Sequence, residues 1–236
     1  MITIENLTVS YGTTKKVIDT LDLELPDCTI HGVVGLNGSG KTTLLNAIYG
    51  LKKTDSGRIL YNNRKINKKE MSLLVTENYF YPNITGREYL GLFDNLAFGT
   101  DKWNALFLLP LDDIIDHYSS GMKKKLAFMG ILKQDKPVMI LDEPFNGLDI
   151  EACRIIRQVL LRLKDRGKTV IITSHIIETL TNLCDHLHYL EKGKIILTKN
   201  KEEFGAFEKE IFASIENKNE TLINELTAHG PDHLPD

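Results

Sequence analysis

Hydrophobic and polar residues follow two periods along the chain, and the dominant period changes twice. Up to about residue 77 the apolar runs are short and are alternating or rich in β-branched residues, which is typical of strands. The predicted strands are 2–9, 17–25, 29–35, 58–61 and 73–76, with one helix at 41–49. From about 78 to 133 apolar residues recur at helical spacing. Strand–helix alternation then resumes, with strands at 138–141 and 169–173, helices at 150–164 and after 175, and a hairpin around 191–194.

Strands that alternate with helices predict a largely parallel sheet covered by helices. The predicted fold class is therefore α/β, with a mostly parallel sheet, a small antiparallel β portion and an inserted helical subdomain. Its predicted parts are a core formed by 1–77 and 134–207, a helical subdomain at 78–133, and a polar tail at 208–236 in which a helix precedes a frayed end.

The composition excludes several classes of protein. The chain has 236 residues, of which 42% are hydrophobic and 26% are charged, as in ordinary globular proteins. Its net charge of −3 provides no global basic field for binding nucleic acid. No apolar run approaches the ~18–20 residues that a membrane-spanning helix needs. We therefore expect any action at a membrane to go through a partner protein.

The cysteines and two of the histidines carry no obvious chemistry. Cys28, Cys153 and Cys184 are isolated in the sequence, which predicts reduced, buried thiols in a cytosolic protein. His186 and His188 flank a predicted strand residue, and nothing nearby completes a metal site, so we expect both on the surface.

The segment GLNGSGKTT fits the pattern G-x-x-x-x-G-K-[ST] between a predicted strand and a predicted helix. Its glycines allow backbone N–H groups to surround a polyphosphate, and the helix N-terminus adds its positive end. Lys41 is expected to reach the β- and γ-phosphates, and the Thr42 hydroxyl to bind Mg²⁺. The alternative is a glycine turn with an incidental lysine, which the flanking elements disfavour. The predicted nucleotide-binding residues here are Gly35, Asn37, Gly38, Ser39, Gly40, Lys41, Thr42 and Thr43.

Two further apolar strands end in polar side chains. The segment VMILDEP ends a strand with Asp142 and Glu143, at the edge where open α/β sheets bind ligands. Asp142 is predicted to hold Mg²⁺, and Glu143 to orient or deprotonate the attacking water. The segment VIITSH places His175 at the same edge, where it is predicted to contact the γ-phosphate. The alternatives are solvated acids and a structural histidine.

The segment YSSGMKKKL contains an electrostatic contradiction. It predicts a helix start capped by Ser119 or Ser120, yet the first turn carries three lysines and no acid, which is unfavourable at the positive end of a helix. An anion bound by Ser119 and the Gly121 backbone would resolve the contradiction. The alternative is a solvated lysine face on an amphipathic helix.

In this order, these four segments resemble the motifs of an ATP-binding cassette (ABC) ATPase, over roughly residues 1–205. Residues 35–42 resemble the Walker A loop of a P-loop NTPase core, 140–143 the Walker B strand, and 119–122 the signature motif. Asn146 to Asp149 resembles the D-loop, His175 the switch histidine, and Tyr11 the aromatic residue that stacks on adenine.

The resemblance implies a head-to-tail dimer that encloses two ATP molecules. Each nucleotide would contact the Walker motifs of one cassette and the signature helix of the other, so Ser119 would meet the partner's ATP. It also implies an integral membrane permease subunit that the cassette drives, with the chain at the cytoplasmic face of the membrane. The segment YPNITGRE resembles exporter-type ATPases.

The chain departs from the family pattern at two positions. The family usually has a glutamine as a Mg²⁺ ligand where the sheet enters the helical subdomain, and here Thr76 or Glu77 occupies that place. Ser120 and Met122 replace residues that are commonly glycine and glutamine, whereas Ser119 and Gly121 are retained.

Three functional hypotheses share the nucleotide-binding loop. The first is the ATPase subunit of an ABC transporter, in particular an exporter. The second is an ABC ATPase that acts on nucleic acid or the ribosome, which the net charge of −3 and the lack of a second cassette disfavour. The third is a switch that binds ATP without hydrolysis, against which Glu143 and His175 both argue.

Overall fold

A computed structural model describes residues 1–12 and 15–228 of the chain. Its strands are β1 (Ile2–Tyr11), β2 (Lys15–Leu25), β3 (Ile30–Val34), β4 (Ser56–Tyr61), β5 (Arg64–Lys65), β6 (Met71–Leu74), β7 (Val138–Leu141), β8 (Thr169–Ser174), β9 (His186–Glu191) and β10 (Lys194–Asn200). Its α-helices are α1 (Lys41–Tyr49), α2 (Gly86–Gly91), α3 (Thr100–Phe107), α4 (Ser120–Gln134), α5 (Ile150–Asp165), α6 (Ile177–Thr181) and α7 (Phe204–Ala228).

The strands form two sheets. The larger has the order β10-β9-β3-β8-β7-β6, and every neighbouring pair except β10 and β9 is parallel. The smaller has the order β2-β1-β4-β5 and is antiparallel. These two sheets confirm the predicted α/β class with its small antiparallel portion.

The larger sheet is covered on both faces, because residues of its central strands alternate between two hydrophobic clusters. Met139 and Leu141 of β7 belong to a cluster shared with α4 and α5, whereas Val138 and Ile140 pack with α1 and the antiparallel sheet. Successive side chains of a strand point to opposite faces, so a strand buried on both faces is apolar throughout. The continuous apolar runs seen in the sequence follow from this burial.

Most predicted element bounds agree with the structure to within two residues. The structure also contains β5, which was not predicted, and β6 lies two residues earlier than the predicted strand at 73–76. Between residues 78 and 133 the structure contains α2, α3 and most of α4. The division into a core and a helical subdomain stays a prediction, and the frayed end predicted for the tail falls at 229–236, outside the described residues.

The prediction that His186 and His188 lie on the surface is wrong for His188. Its side chain is 1% exposed, and its ring stacks with that of His31, which is fully buried. His186 is half-buried and also stacks with His31. The error arises because β9 is an interior strand, so its alternate side chains enter the protein.

The prediction of three buried cysteines is also only partly correct. Cys184 is buried, and burial raises the pKa of its thiol. Cys28 is exposed and Cys153 is half-buried. All three are free thiols, as predicted.

The buried histidines predict acid-sensitive stability. Burial lowers the pKa of His31 to about 4 and that of His188 to about 3, from an ordinary value of 6.5. Between pH 6.5 and about 4 the unfolded chain therefore binds more protons than the folded protein, and stability present above pH 6.5 is lost as the pH falls through this range. His31 alone should account for roughly 3 kcal/mol of the free energy of unfolding.

Urea denaturation at about pH 7.5 and about pH 5 measures this loss. His31→Asn should show a smaller difference between the two pH values than the wild type, whereas the exposed His117→Asn should behave as the wild type. An equal loss in His31→Asn would exclude His31 as its source.

Candidate active site

Three neighbouring parallel strands end at the same edge of the larger sheet. The strand β3 leads into the loop 35–40, β7 leads into Asp142 and Glu143, and β8 leads into His175. Because β3 pairs with β8 and β8 pairs with β7, the three chain ends are adjacent. The sheet topology therefore brings together segments that are far apart in the sequence.

The loop 35–40 requires glycine for two different reasons. Gly38 and Gly40 have φ values of 79° and 112°, which side chains disfavour. Gly35 has no room for a side chain, since an added Cβ would lie 2.4 Å from the Leu190 carbonyl oxygen and 2.6 Å from Ser39 Oγ. The loop is thus a tight backbone curve that ends at the N-terminus of α1.

Lys41, the first residue of α1, is 7% exposed and helps to hold the loop. Its Nζ donates to the Gly35 carbonyl oxygen at 2.7 Å and lies 3.8 Å from a carboxylate oxygen of Glu143. Burial lowers the pKa of Lys41, and the carboxylates of Glu143 and Asp142 oppose this shift. The ammonium group therefore lies between the loop and the two acidic residues.

Asp142 is 2% exposed, and three threonine hydroxyls donate to its carboxylate. Thr42 Oγ1 and Thr76 Oγ1 donate to the same oxygen, Oδ2, at 2.7 and 2.9 Å. Thr173 Oγ1 donates to the other oxygen, Oδ1, at 2.6 Å. A buried carboxylate is stable only when it is fully hydrogen-bonded or paired, and these hydroxyls meet that need.

Glu143 directs its carboxylate toward the opening of the site. Its oxygens lie 3.1 and 3.2 Å from His175 Nδ1. Glu143 is 9% exposed, whereas the His175 side chain is 40% exposed. The acid is thus held between a buried lysine and a histidine that faces solvent.

These groups line one cavity of about 500 Å³. Residues of the loop, of α1 and of the strand ends contribute to it. Its lining consists of Lys15, Val17, Asn37, Gly38, Gly40, Lys41, Thr42, Thr43, Thr76, Glu143, Asn146 and His175. Gly35 and Ser39 lie behind it in the loop, and the buried Ser39 Oγ has no hydrogen-bond partner among the described residues.

Tyr11 does not line this cavity. Its ring is half exposed and lies under Lys52, with Nζ 3.8 Å from the ring centroid. Residues 13 and 14, which connect Tyr11 to the cavity-lining Lys15, fall outside the described residues. The adenine contact assigned to Tyr11 stays a prediction.

Thr76 and Glu77, the two candidates for the position of the family's glutamine, differ in their surroundings. Thr76 lies in the cavity and donates to Asp142. Glu77 lines a neighbouring cavity with Lys123 and Lys124. Thr76 is therefore the candidate whose side-chain oxygen contacts Asp142.

The helix α4 begins outside the cavity. Ser119 caps the helix, its hydroxyl accepting from the Met122 N–H at 3.2 Å, and its side chain is exposed. An added Cβ on Gly121 would lie 3.1 Å from the Gly147 carbonyl oxygen. Neither Ser119 nor Gly121 lines the cavity of its own chain.

The lysines that follow Ser119 are not a solvated face. Lys124 is 8% exposed, and its Nζ donates to the Glu143 carbonyl oxygen at 3.0 Å. Lys125 pairs with Asp149 at 3.1 Å, and Asp149 also caps α5 by accepting from the Ala152 N–H. That N–H and Lys125 lower the pKa of Asp149. The unfavourable charges at the start of α4 are thus compensated by tertiary contacts that the sequence could not reveal.

Sequence reasoning missed four residues of the site. Thr173 contacts Asp142 and Glu143, and Lys124 donates to Glu143. Lys15 and Val17 line the cavity. A threonine directly after the apolar run 170–172 and two residues before His175 is the signal that could have identified Thr173. The others depend on contacts between distant segments.

Comparison with known families fits this geometry. The model described as "ABC transporter" matches residues 18–146, and an AAA-domain model matches 112–181. An uncharacterised ABC transporter ATP-binding protein of Bacillus subtilis is 30% identical over 223 residues, which cover 87% of this chain and 74% of the relative. The chain belongs to the ABC transporter family. It is an ATP-binding subunit with ATPase activity.

Other ABC relatives are named for the compounds they transport. A lantibiotic transport ATP-binding protein of Streptococcus pyogenes is 29% identical, covering 84% of this chain and 90% of the relative. A bacitracin transport ATP-binding protein of Bacillus licheniformis is 33% identical, covering 83% of this chain and 68% of the relative.

Solved ABC cassettes share the fold. An ATP-binding subunit of an ABC transporter superposes with a TM-score of 0.78 at 24% identity, covering 87% of this chain and 93% of that one. A dimeric cassette bound to ADP and Pi superposes with a TM-score of 0.75 at 20% identity, covering 85% and 99%.

The position of Lys41 predicts that ATP binding depends on its ammonium group. Lys41→Ala should weaken ATP binding about 10- to 100-fold, because a charge-assisted contact and a support of the loop are both removed. The exposed Lys53→Ala should bind ATP as the wild type does. Isothermal titration measures both, and unchanged affinity in Lys41→Ala would contradict the assignment of residues 35–43 as the phosphate-binding loop.

Proposed function

We propose that this ABC subunit hydrolyses ATP with Glu143 as the base, in a dimer of two cassettes that drives a membrane permease. The observation that carries the proposal is the contrast between the two adjacent acids. Asp142 is enclosed by three hydroxyls, whereas Glu143 directs its carboxylate into the cavity beside Lys41 and His175. Two acids in different environments suit two different roles.

The oxygen atoms around Asp142 fit a Mg²⁺ ion. Thr42 and Thr76 each place a hydroxyl within hydrogen-bond distance of the Asp142 carboxylate, and hard oxygen donors of this kind are the ligands that Mg²⁺ prefers. When bound, Mg²⁺ neutralises charge on the β- and γ-phosphates. Thr76 would supply the oxygen that the family's glutamine usually provides, and Glu77, on the neighbouring cavity, is the less favoured ligand.

Glu143 and His175 share the handling of the attacking water. The carboxylate of Glu143 accepts a proton from that water or orients it. His175, whose Nδ1 lies 3.1 Å from that carboxylate, contacts the γ-phosphate. Lys41 and the loop N–H groups stabilise negative charge on the phosphates. Asp149 of the D-loop segment caps α5 and pairs with Lys125, and the nucleotide contact assigned to it stays a prediction.

The exposed start of α4 supports a dimer in which each cassette completes the other's site. Ser119 and Gly121 lie outside the cavity of their own chain, at the N-terminus of a 15-residue helix whose N–H groups and dipole favour an anion. We propose that they contact the γ-phosphate held by a second copy of this chain. Solved relatives are dimeric cassettes, which supports this arrangement.

We further propose that the partner in the membrane is a permease and that transport is outward. Relatives named for lantibiotic and bacitracin transport support a role in transport, and the resemblance of residues 81–88 to exporter-type ATPases favours the outward direction. In the described residues no helix is long and apolar enough to span a bilayer. We propose that the cassette acts from the cytoplasmic face by docking on the permease. Action on nucleic acid or the ribosome is not favoured, since the relatives reported above are named as transporter subunits.

The role of Glu143 predicts the behaviour of a conservative variant. Glu143→Gln should lower the turnover number at least 100-fold, because the amide cannot accept the proton, while ATP binding is retained and a dimer accumulates. Steady-state hydrolysis and light scattering with ATP measure the two effects. Hydrolysis at the normal rate would exclude Glu143 as the base.

The composite site predicts a separation of binding from dimerisation. Ser119→Arg, made in the Glu143→Gln background, should leave ATP binding to the monomer intact and abolish the ATP-dependent dimer, because the larger cation obstructs the contact with the partner's nucleotide. Titration and light scattering report the two properties separately. Loss of ATP binding by the monomer would instead indicate that Ser119 acts within its own chain.

A further inference from the structure

The backbone of Glu143 is held on both sides by side chains from other elements. Its N–H donates to Thr173 Oγ1 of β8 at 2.9 Å, and its carbonyl oxygen accepts from Lys124 Nζ of α4 at 3.0 Å. Thr173 is fully buried and Lys124 is 8% exposed, so neither contact is open to competition from bulk water. The two contacts together form what we call the Glu143 clamp, consisting of Thr173 and Lys124.

The clamp holds a backbone conformation that glutamate disfavours. Glu143 has a φ of 48°, in the left-handed region that few residues other than glycine adopt. It also precedes Pro144, which restricts its backbone further. Such a conformation persists only where surrounding contacts determine it, and it fixes the direction in which the side chain leaves the backbone.

Thr173 connects this conformation to the neighbouring acid. Its hydroxyl accepts from the Glu143 N–H and donates to Asp142 Oδ1 at 2.6 Å. A single hydroxyl thus fixes the backbone of one acid and the carboxylate of the other. Asp142 keeps the hydroxyls of Thr42 and Thr76 on its second oxygen if this contact is lost.

Lys124 connects the same backbone to the signature helix. It lies in the second turn of α4, whose first residues are the proposed contact with the partner's nucleotide. The carboxylates of Glu143 and Asp142 attract its ammonium group, which burial disfavours. A displacement of α4 is therefore transmitted to the backbone of Glu143.

We propose that Thr173 and Lys124 are positioning residues for ATP hydrolysis, which fix the direction of the Glu143 carboxylate and make it depend on the position of α4. The proposal rests on the proposed role of Glu143 as the base. It assigns no contact with ATP to either residue, so their removal should lower the turnover number and leave ATP affinity unchanged.

Thr173→Val tests the first arm, because valine keeps the shape and removes the hydroxyl. We expect the turnover number to fall about 10- to 100-fold, as a displacement of about 1 Å in a reacting group causes, with KM for ATP unchanged within about twofold. Thr173→Ser restores the hydroxyl and should recover most of the rate. Thr169→Val is the matched control, since Thr169 is a buried threonine of the same strand whose hydroxyl accepts from the Cys28 N–H, away from the cavity.

Lys124→Met tests the second arm by removing the ammonium group from a side chain of similar length. The turnover number should fall about tenfold with ATP affinity retained, whereas Lys133→Met, at a second buried lysine of α4, should have no effect on it. Wild-type turnover in both Thr173→Val and Lys124→Met would overturn the clamp. A change in the Mg²⁺ concentration needed for half-maximal rate, without a change in the turnover number, would also overturn it, because Thr173 would then act through Asp142.

A double variant distinguishes failure of the clamp from failure of the proposed function. In the Glu143→Gln background, Thr173→Val should cause no further fall in the residual rate, because residues that act through the same group are not additive. A further fall as large as in the wild-type background would show that Thr173 acts independently of Glu143. Normal hydrolysis by Glu143→Gln alone would instead refute the base assignment itself.

Discussion

The buried carboxylate of Asp142 is the constraint on which the site depends. A charge this deep in the protein must be satisfied, and the chain supplies hydroxyls from three distant segments, Thr42 after the phosphate-binding loop, Thr76 after β6, and Thr173 in β8. These contacts join the ends of neighbouring elements at one edge of the sheet. The same network that stabilises the carboxylate therefore also assembles the nucleotide site.

The two acids at the end of β7 receive different roles from their surroundings. Asp142 is fixed by hydroxyls, whereas Glu143 is anchored through its backbone as well. Its carboxylate faces Lys41 and His175 in the cavity. Lys124 and the exposed cap Ser119 belong to the same helix, so the contact proposed for a partner's nucleotide and the backbone of the base are mechanically connected. A dimer that closes on ATP would thus act directly on the residue that we propose as the base.

The sequence was sufficient to predict the motifs and most strands of the larger sheet, because both depend on local patterns. The segment GLNGSGKTT and the apolar strands that end at Asp142 and His175 predicted that these segments meet at one edge of the sheet, as they do in the structure. Contacts between segments that are distant in the sequence could not be predicted from it. The burial of His188 depends on the interior place of β9, and the contact of Lys124 with Glu143 depends on how α4 packs. The spacing of the three lysines in YSSGMKKKL does not reveal that Lys124 is buried or that Lys125 pairs with Asp149.

The dependence of ATP affinity on Mg²⁺ tests most directly the claim that Asp142 is held ready for a cation. Titrations with ATP, in excess Mg²⁺ and in EDTA, should show tighter binding with Mg²⁺ in the wild type. Asp142→Asn keeps the shape and the hydrogen-bond acceptor but removes the charge, so the account predicts that this difference is largely lost while binding in EDTA is retained. A full Mg²⁺ effect in Asp142→Asn would contradict the account.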